Sequence, residues 1–239
     1  RCAGFGWADP WRRRLWRCAR SDLFLLLPRQ VRLPREALAQ GASSVLGRPL
    51  TPHELDLFSR YLALLLRWQR SHRFIGSSDE MWIVERLFLD SLLFLRLLPS
   101  PTRTLVGIGS GAGMPGVPIN IVRSDLEVTL VESRRRRASF LSAVVRELAL
   151  GQVRVVADRI ESRLPEMEGR FNVVVMRCAG DVGELMPLAG RLLTPQGLII
   201  ASGPPEPRPL SQGEWVVVPG LRSSSTRRFA VYRATDAGG

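Results

Sequence analysis

At 239 residues, 45% of them hydrophobic and 23% charged, the chain is too apolar for intrinsic disorder and long enough for one α/β domain with a helical extension. Its formal net charge of +12 comes from 34 basic residues, all arginine, against 22 acids, a surplus that suits a polyanionic partner. Cys2, Cys18 and Cys178 lack metal-ligand spacing, His53 and His72 cannot supply a histidine-rich metal site, and no apolar run reaches the roughly 18 residues of a membrane span. A reducing, cytoplasmic location without metal or membrane is expected.

Residues 1–48 read as a basic tail. Its opening, "RCAGFGWADPWRRRLWRCARSD", sets tryptophans among arginines with no sustained period. That composition suits either an RNA-contacting arm or, the preferred reading, a frayed or over-extended end outside the fold. A helix start follows at "TPHE", with Thr51 as N-cap, Pro52 at the first helical position and Glu54 closing a capping box. Leu55, Phe58, Leu62 and Leu65 recur at helical spacing with Leu66 beside them, an apolar stripe that runs through to Trp68 and is expected to be core. A second helix is expected from Asp79 to Leu98, so that residues 49–100 form a helical cap.

From Thr104 short β-type runs alternate with amphipathic helices: "TLVGI", "EVTLV", "VRVV", "FNVVVM" and "GLIIAS" are the strands. Such βα units build a doubly wound, mostly parallel α/β sheet with helices on both faces, here over residues 101–235. "EWVVVP" and "RRFAVYRA" add a closing antiparallel hairpin.

In such sheets ligands sit at the carboxyl ends of the strands, and the first βα loop is the usual site. That loop is "LVGIGSGAGMPGVPI", in which Gly109, Gly111 and Gly113 let the backbone bend sharply and approach a ligand. Glu132 ends the next strand about 20 residues on, where an acid accepts hydrogen bonds from ribose hydroxyls. Together they indicate an adenosine-bearing cofactor. The string "GAGMPG" matches the dinucleotide fingerprint, so a nicotinamide enzyme is one reading. Pro115 and Pro118 remove N–H donors from the turn that a pyrophosphate would need, whereas S-adenosylmethionine carries no phosphate.

Several successive motifs, "GIGSGAGMPGVPINIV", "LVESRRRRASFL", "ADRIES", "VVVMRCA" and "LTPQG", with "RWQR" and "ERLFLDSLL" in the cap, resemble the bacterial ribosomal RNA small subunit methyltransferase G family (glucose-inhibited division protein B). The similarity runs from about Leu50 to Arg233. It implies a class I, Rossmann-like methyltransferase that moves a methyl group from S-adenosylmethionine to N7 of a guanosine in 16S rRNA, as naked RNA or in the small ribosomal subunit. N7 presents an exposed lone pair, so no general base is demanded and the scarcity of histidine is no obstacle.

The resemblance also assigns residues. Gly109 and Met114 match positions lining the methionine and adenosine parts of the cofactor, and Glu132 matches the ribose acid. Ile160 and Glu161 match a pair after the third strand whose backbone meets the adenine, and Arg177 matches an arginine between cofactor and substrate. Arg134 to Arg137 open a helix, where positive charge opposes the helix dipole. That placement points to an external anion, an RNA phosphate met chiefly by Arg137. Arg227, with Arg228, matches a further basic position. The chain departs from the family at Gly107, where an Asp is usual, at Arg73 to Ile75 in place of Asn-Leu-Thr, at Leu87 in place of His, and at Ser202 and Gly203 in place of Lys-Gly. Leu89, Asp90 and Ser91 are kept. These departures allow a second reading, a catalytically weakened relative that binds ribosomal RNA.

Overall fold

The computed structural model describes residues 33–177, 182–202, 209–210, 212–222 and 224–234. The proposed RNA-contacting arm, its tryptophans and all three cysteines lie outside them, as does Gly203. Part of the expected tail is well formed: Pro34–Leu46 is a helix, α1, with Ala37, Leu38 and Ala42 buried and Gly47 as its left-handed C-cap. "PREALAQGASSVL" carries its apolar residues too sparsely to announce a helix, and its partner face is what holds it.

The second helix, α2 (Pro52–His72), starts as expected. Thr51 Oγ1 accepts from Glu54 N–H at 3.2 Å, Glu54 Oε2 accepts from Thr51 N–H at 2.7 Å, and Arg48 closes on the same carboxylate at 2.7 Å. The buried face is not the expected stripe. Leu57, Phe58, Tyr61, Leu64 and Leu65 are buried, while Leu55, Leu62 and Leu66 are only partly covered. The helix meets α1 on one side and the sheet layer on the other, so the covered arc is rotated toward Tyr61.

Asp79 caps the next helical run through Trp82 N–H at 2.6 Å. The run passes through α3 (Glu80–Ile83), a π-helical stretch Val84–Leu89, α4 (Asp90–Leu92) and a 3-10 turn Leu93–Arg96. The π stretch falls where the helix meets the site described below, a common location for such bulges.

The sheet has seven strands in the order β3-β2-β1-β4-β5-β7-β6. Strands β1 (Thr104–Ile108), β2 (Glu127–Val131), β3 (Val153–Val156), β4 (Phe171–Arg177) and β5 (Leu193–Ser202) are parallel neighbours. The hairpin β6 (Glu214–Pro219) and β7 (Thr226–Arg233) joins β5 antiparallel, as the sequence indicates. Period-2 alternation divides the sheet's side chains between two layers. Leu105, Leu130, Val173 and Ile200 face the cap with α5 (Gly116–Val122) and α6 (Arg135–Glu147). Val106, Ile108, Val174 and Ile199 face α7 (Ile160–Met167) and α8 (Val182–Arg191). Phe58, Phe88 and Phe94 of the helical run belong to the same cluster as Leu105 and Phe140, so cap and sheet share one core. Each such side chain contributes about 1.5–3 kcal/mol by leaving water.

Candidate active site at the carboxyl edge of the sheet

Beyond β1 the chain turns through Gly109 (φ 63°), Gly111 (φ 58°) and Gly113 (φ 96°), all left-handed. Gly113 is also crowded, because a Cβ there would lie 2.6 Å from the Tyr61 hydroxyl and 2.8 Å from Val117. A side chain is therefore excluded both by backbone conformation and by space. The loop is held by its own bonds, Gly113 N–H and Met114 N–H both donating to Ser110 O at 2.7 and 3.1 Å. Tyr61, fully buried and stacked on Phe88 at 5.1 Å, donates its hydroxyl hydrogen to Ala112 O. Burial pushes this hydroxyl far above its usual range, so it stays a proton donor. Tyr61 thus fastens the cap to the loop, a role that the leucine pattern around it did not reveal.

Glu132 follows β2 and is 4% exposed. One carboxylate oxygen accepts from Gly111 N–H and the other from Arg134 N–H, each at 2.8 Å. Its own N–H donates to Val156 O at 3.0 Å, which places the end of β3 beside it. The acid is therefore a tie between the loop, the start of α6 and the third strand. A carboxylate has about four acceptor directions, so two remain for a ligand.

The turn into α5 lacks the fan of N–H groups that a pyrophosphate requires. Pro115 and Pro118 have none, Val117 N–H is bonded to Gly113 O at 2.8 Å, and Gly111 N–H is taken by Glu132. The geometry thus opposes the dinucleotide reading of "GAGMPG".

Met114 is buried, with Ser91 Oγ donating toward its sulfur at 3.5 Å. The same end of the sheet holds a clasp around Asp90. Arg177, last residue of β4, lies 3.1 Å from Asp90 Oδ2 through Nη2 and donates through Nη1 to Leu87 O and Ser91 Oγ, both at 3.4 Å. Its Nη2 also donates to Arg86 O. Arg227 of β7 donates from Nη2 to Asp90 Oδ2 at 3.0 Å. Its Nε sits 2.7 Å from Oδ1 but is not aligned as a hydrogen-bond donor, so that contact is an ion pair only. Two of the arginines expected to meet RNA are therefore joined through one carboxylate to the cap. The carbonyls of Arg86 and Leu87 that accept from Arg177 belong to the π-helical stretch.

Ile160 and Glu161 open α7 beyond β3; Ile160 is buried in the layer below the sheet and Glu161 is exposed. Arg134 is the N-cap of α6 with no side-chain capping bond, and Arg135 to Arg137 form the first turn, which carries no acid. Arg137 Nη1 lies 3.9 Å from where a Cβ on Gly111 would be, so this guanidinium borders the glycine loop. The structure brings together Gly109, Gly111, Gly113, Met114, Glu132 and Arg137. Arg177 and Arg227 share Asp90 instead, and Ser91 Oγ lies between Arg177 and Met114.

At Gly107 a Cβ would lie 3.0 Å from Ser110 Oγ, which donates to Gly107 O at 3.0 Å. Leu87, in place of the family's His, is buried, and Ser202 pairs with Arg177 across β4 and β5. Among the described residues there is no cluster of metal-ligating side chains and no helix long and apolar enough to cross a membrane.

The fold agrees with that of two solved structures. An O-methyltransferase, TomG, from Streptomyces achromogenes in complex with SAM aligns with TM-score 0.50 at 15% identity, over 73% of this chain and 89% of that one. A mutant of MtNAS aligns with TM-score 0.52 at 16% identity, over 84% and 86%. At such identities the likeness concerns the fold alone. Curated relatives named ribosomal RNA small subunit methyltransferase G are closer. That of Chromobacterium violaceum is 37% identical over 164 residues, 69% of this chain and 77% of the relative. Those of Anaeromyxobacter dehalogenans and Sorangium cellulosum are 38% and 35% identical, over 70% and 77% of this chain and 76% and 78% of theirs. The family model for rRNA small subunit methyltransferase G matches residues 54–203, spanning the cap helices, the glycine loop and Glu132, and the chain belongs to that family.

Proposed function

We propose that this protein transfers a methyl group from S-adenosylmethionine to N7 of a guanosine in 16S rRNA, free or within the small ribosomal subunit, in the cytoplasm. The observation that carries the reading is the buried Glu132 carboxylate, which ties the left-handed glycine loop to the carboxyl edge of β2 and keeps acceptor capacity for a ribose. Three left-handed glycines, Gly113 among them with no room for a side chain, and an adjacent turn poor in N–H groups suit a nucleoside without phosphates. When bound, S-adenosylmethionine supplies an electrophilic methyl group on its sulfonium.

Gly109, Gly111, Gly113 and Met114 would line the cofactor, Glu132 would orient its ribose, and the backbone at Ile160 and Glu161 would meet the adenine. Arg177 would stand between cofactor and guanine, and Arg137 and Arg227 would meet RNA phosphates. The guanine N7 lone pair needs no deprotonation, so catalysis rests on alignment.

The test is methyl incorporation from labelled S-adenosylmethionine into small subunits that lack the modification. Wild type incorporates label, and Glu132→Ala lowers incorporation at least tenfold through weakened cofactor binding. Incorporation unaffected by Glu132→Ala would refute the assignment. The absence of an acid at Gly107 supports the second reading, a weakened or inactive relative that binds rRNA. RNA binding with no incorporation by wild type selects it.

A further inference from the structure

The start of α6 and the end of α2 enclose a hollow of about 310 Å³, lined by His72, Arg73, Phe74 and Arg134 to Arg137. Several arginines elsewhere are paired with acids: Arg48 with Glu54, Arg67 with Glu147, Arg123 with Asp125, Arg163 with Asp158, and Arg191 with Glu168. Among the described residues, none of the five arginines at the hollow has a carboxylate within ion-pair distance, and no acid lines it. Five cations around one cavity repel each other, and three of them also sit in the first turn of a helix, where the dipole opposes them.

The cavity is rigid. Arg73 is the C-cap of α2 in left-handed conformation (φ 47°, ψ 57°), which is unfavourable for a branched or long L side chain. It is fixed there because the buried Gln69 side chain bonds the next turn in both directions, Nε2 to Ile75 O at 2.7 Å and Oε1 from Ile75 N–H at 3.1 Å. The wall is aromatic: Phe74 packs on His72 at 5.3 Å and on Phe140 at 5.4 Å, with Trp68 behind.

We propose that this hollow seats consecutive phosphates of a single-stranded RNA segment, with Arg73 as an added contact beyond the arginine run of α6. Resting on the function proposed above, it extends that reading to the backbone next to the target base, since Arg137 borders the glycine loop. Guanidinium forks match phosphate oxygens, and the half-buried His72 and Phe74 rings border the hollow where a base can meet them.

The test measures binding of a labelled ten-nucleotide single-stranded RNA across a salt series, together with methylation kinetics on undermodified small subunits. For single strands, log K against log salt loses about 0.7 in slope for each phosphate contact removed. Arg73→Asn, which relaxes the backbone, keeps the fold and lowers the slope by about that amount. It raises the KM for RNA several-fold and leaves kcat and S-adenosylmethionine affinity within twofold. Arg136→Gln lowers the slope similarly. An unchanged slope in both variants overturns the proposal, as does failure of wild type to bind the RNA or an Arg73-dependent affinity for polyglutamate that exceeds that for RNA. If wild type shows this Arg73-dependent binding but transfers no methyl group, the catalytic reading fails and the RNA seat stands.

Discussion

Removing the carboxylate of Asp90 should release two cations at once. Asp90 is 8% exposed, and it faces Arg177, whose side chain is 13% exposed, and Arg227, whose side chain is 37% exposed. Breaking a buried ion pair from one side costs about 3–5 kcal/mol, because the surviving charge loses its partner while remaining out of water. Arg227 is exposed enough to turn to solvent, so its share is screened and the lower end applies, about 3 kcal/mol for Asp90→Ala. For a chain of this size that lowers Tm by about 6–12 °C, at about 2–4 °C per kcal/mol. Asp90→Asn keeps the side-chain volume and should recover only a minor part. The assay is thermal and urea unfolding, with unchanged m-value showing that both states keep their compactness. Adding Arg177→Met to Asp90→Ala should restore part of the loss by removing the cation that stays out of water. A Tm fall under 2 °C for Asp90→Ala, or no recovery in the double variant, would refute the clasp as a stabilising device.

Three further outcomes follow from the site's geometry. Gly113→Ala should destabilise by about 2–4 kcal/mol, since left-handed backbone costs about 1–2 kcal/mol and its Cβ would overlap the Tyr61 hydroxyl and Val117; calorimetry checks the loss, and a neutral result contradicts the packing described. Tyr61→Phe removes one buried donor and leaves Ala112 O unsatisfied, about 1–2 kcal/mol by urea titration. Burial of Glu54 opposes its ionisation, but its bonds to Arg48 and to Thr51 N–H outweigh this and lower its pKa. With the folded value below the unfolded one, the contribution is present above the ordinary carboxylate range and fades as pH falls through the lowered value. Glu54→Gln should therefore flatten that part of an acid unfolding curve.

Local patterning was enough for the architecture. Alternation over "TLVGI" and "EVTLV" set two-sided burial, "TPHE" set the start of α2, and the spacing from Gly109 to Glu132 set a cofactor loop answered by an acid, because each of these depends on residues close in the chain. The family resemblance named the chemistry, and of the residues it singles out the fold brings Gly109, Gly111, Gly113, Met114, Glu132 and Arg137 together at the glycine loop. Tertiary structure alone decided the rest. Tyr61, outside the leucine stripe of α2, gained its role only when α2 was laid against the loop, and α1 emerged from an expected tail because its few apolar residues needed a facing surface. Arg177, Arg227 and Asp90 are separated by long stretches of chain, so no spacing rule could show that one carboxylate holds both arginines. Arg73 and Arg134 to Arg137 line one hollow only because α2 ends where α6 begins. Charge in a sequence gives a sum; which charges pair and which are left facing outward is settled by the packing of the helices and strands that carry them.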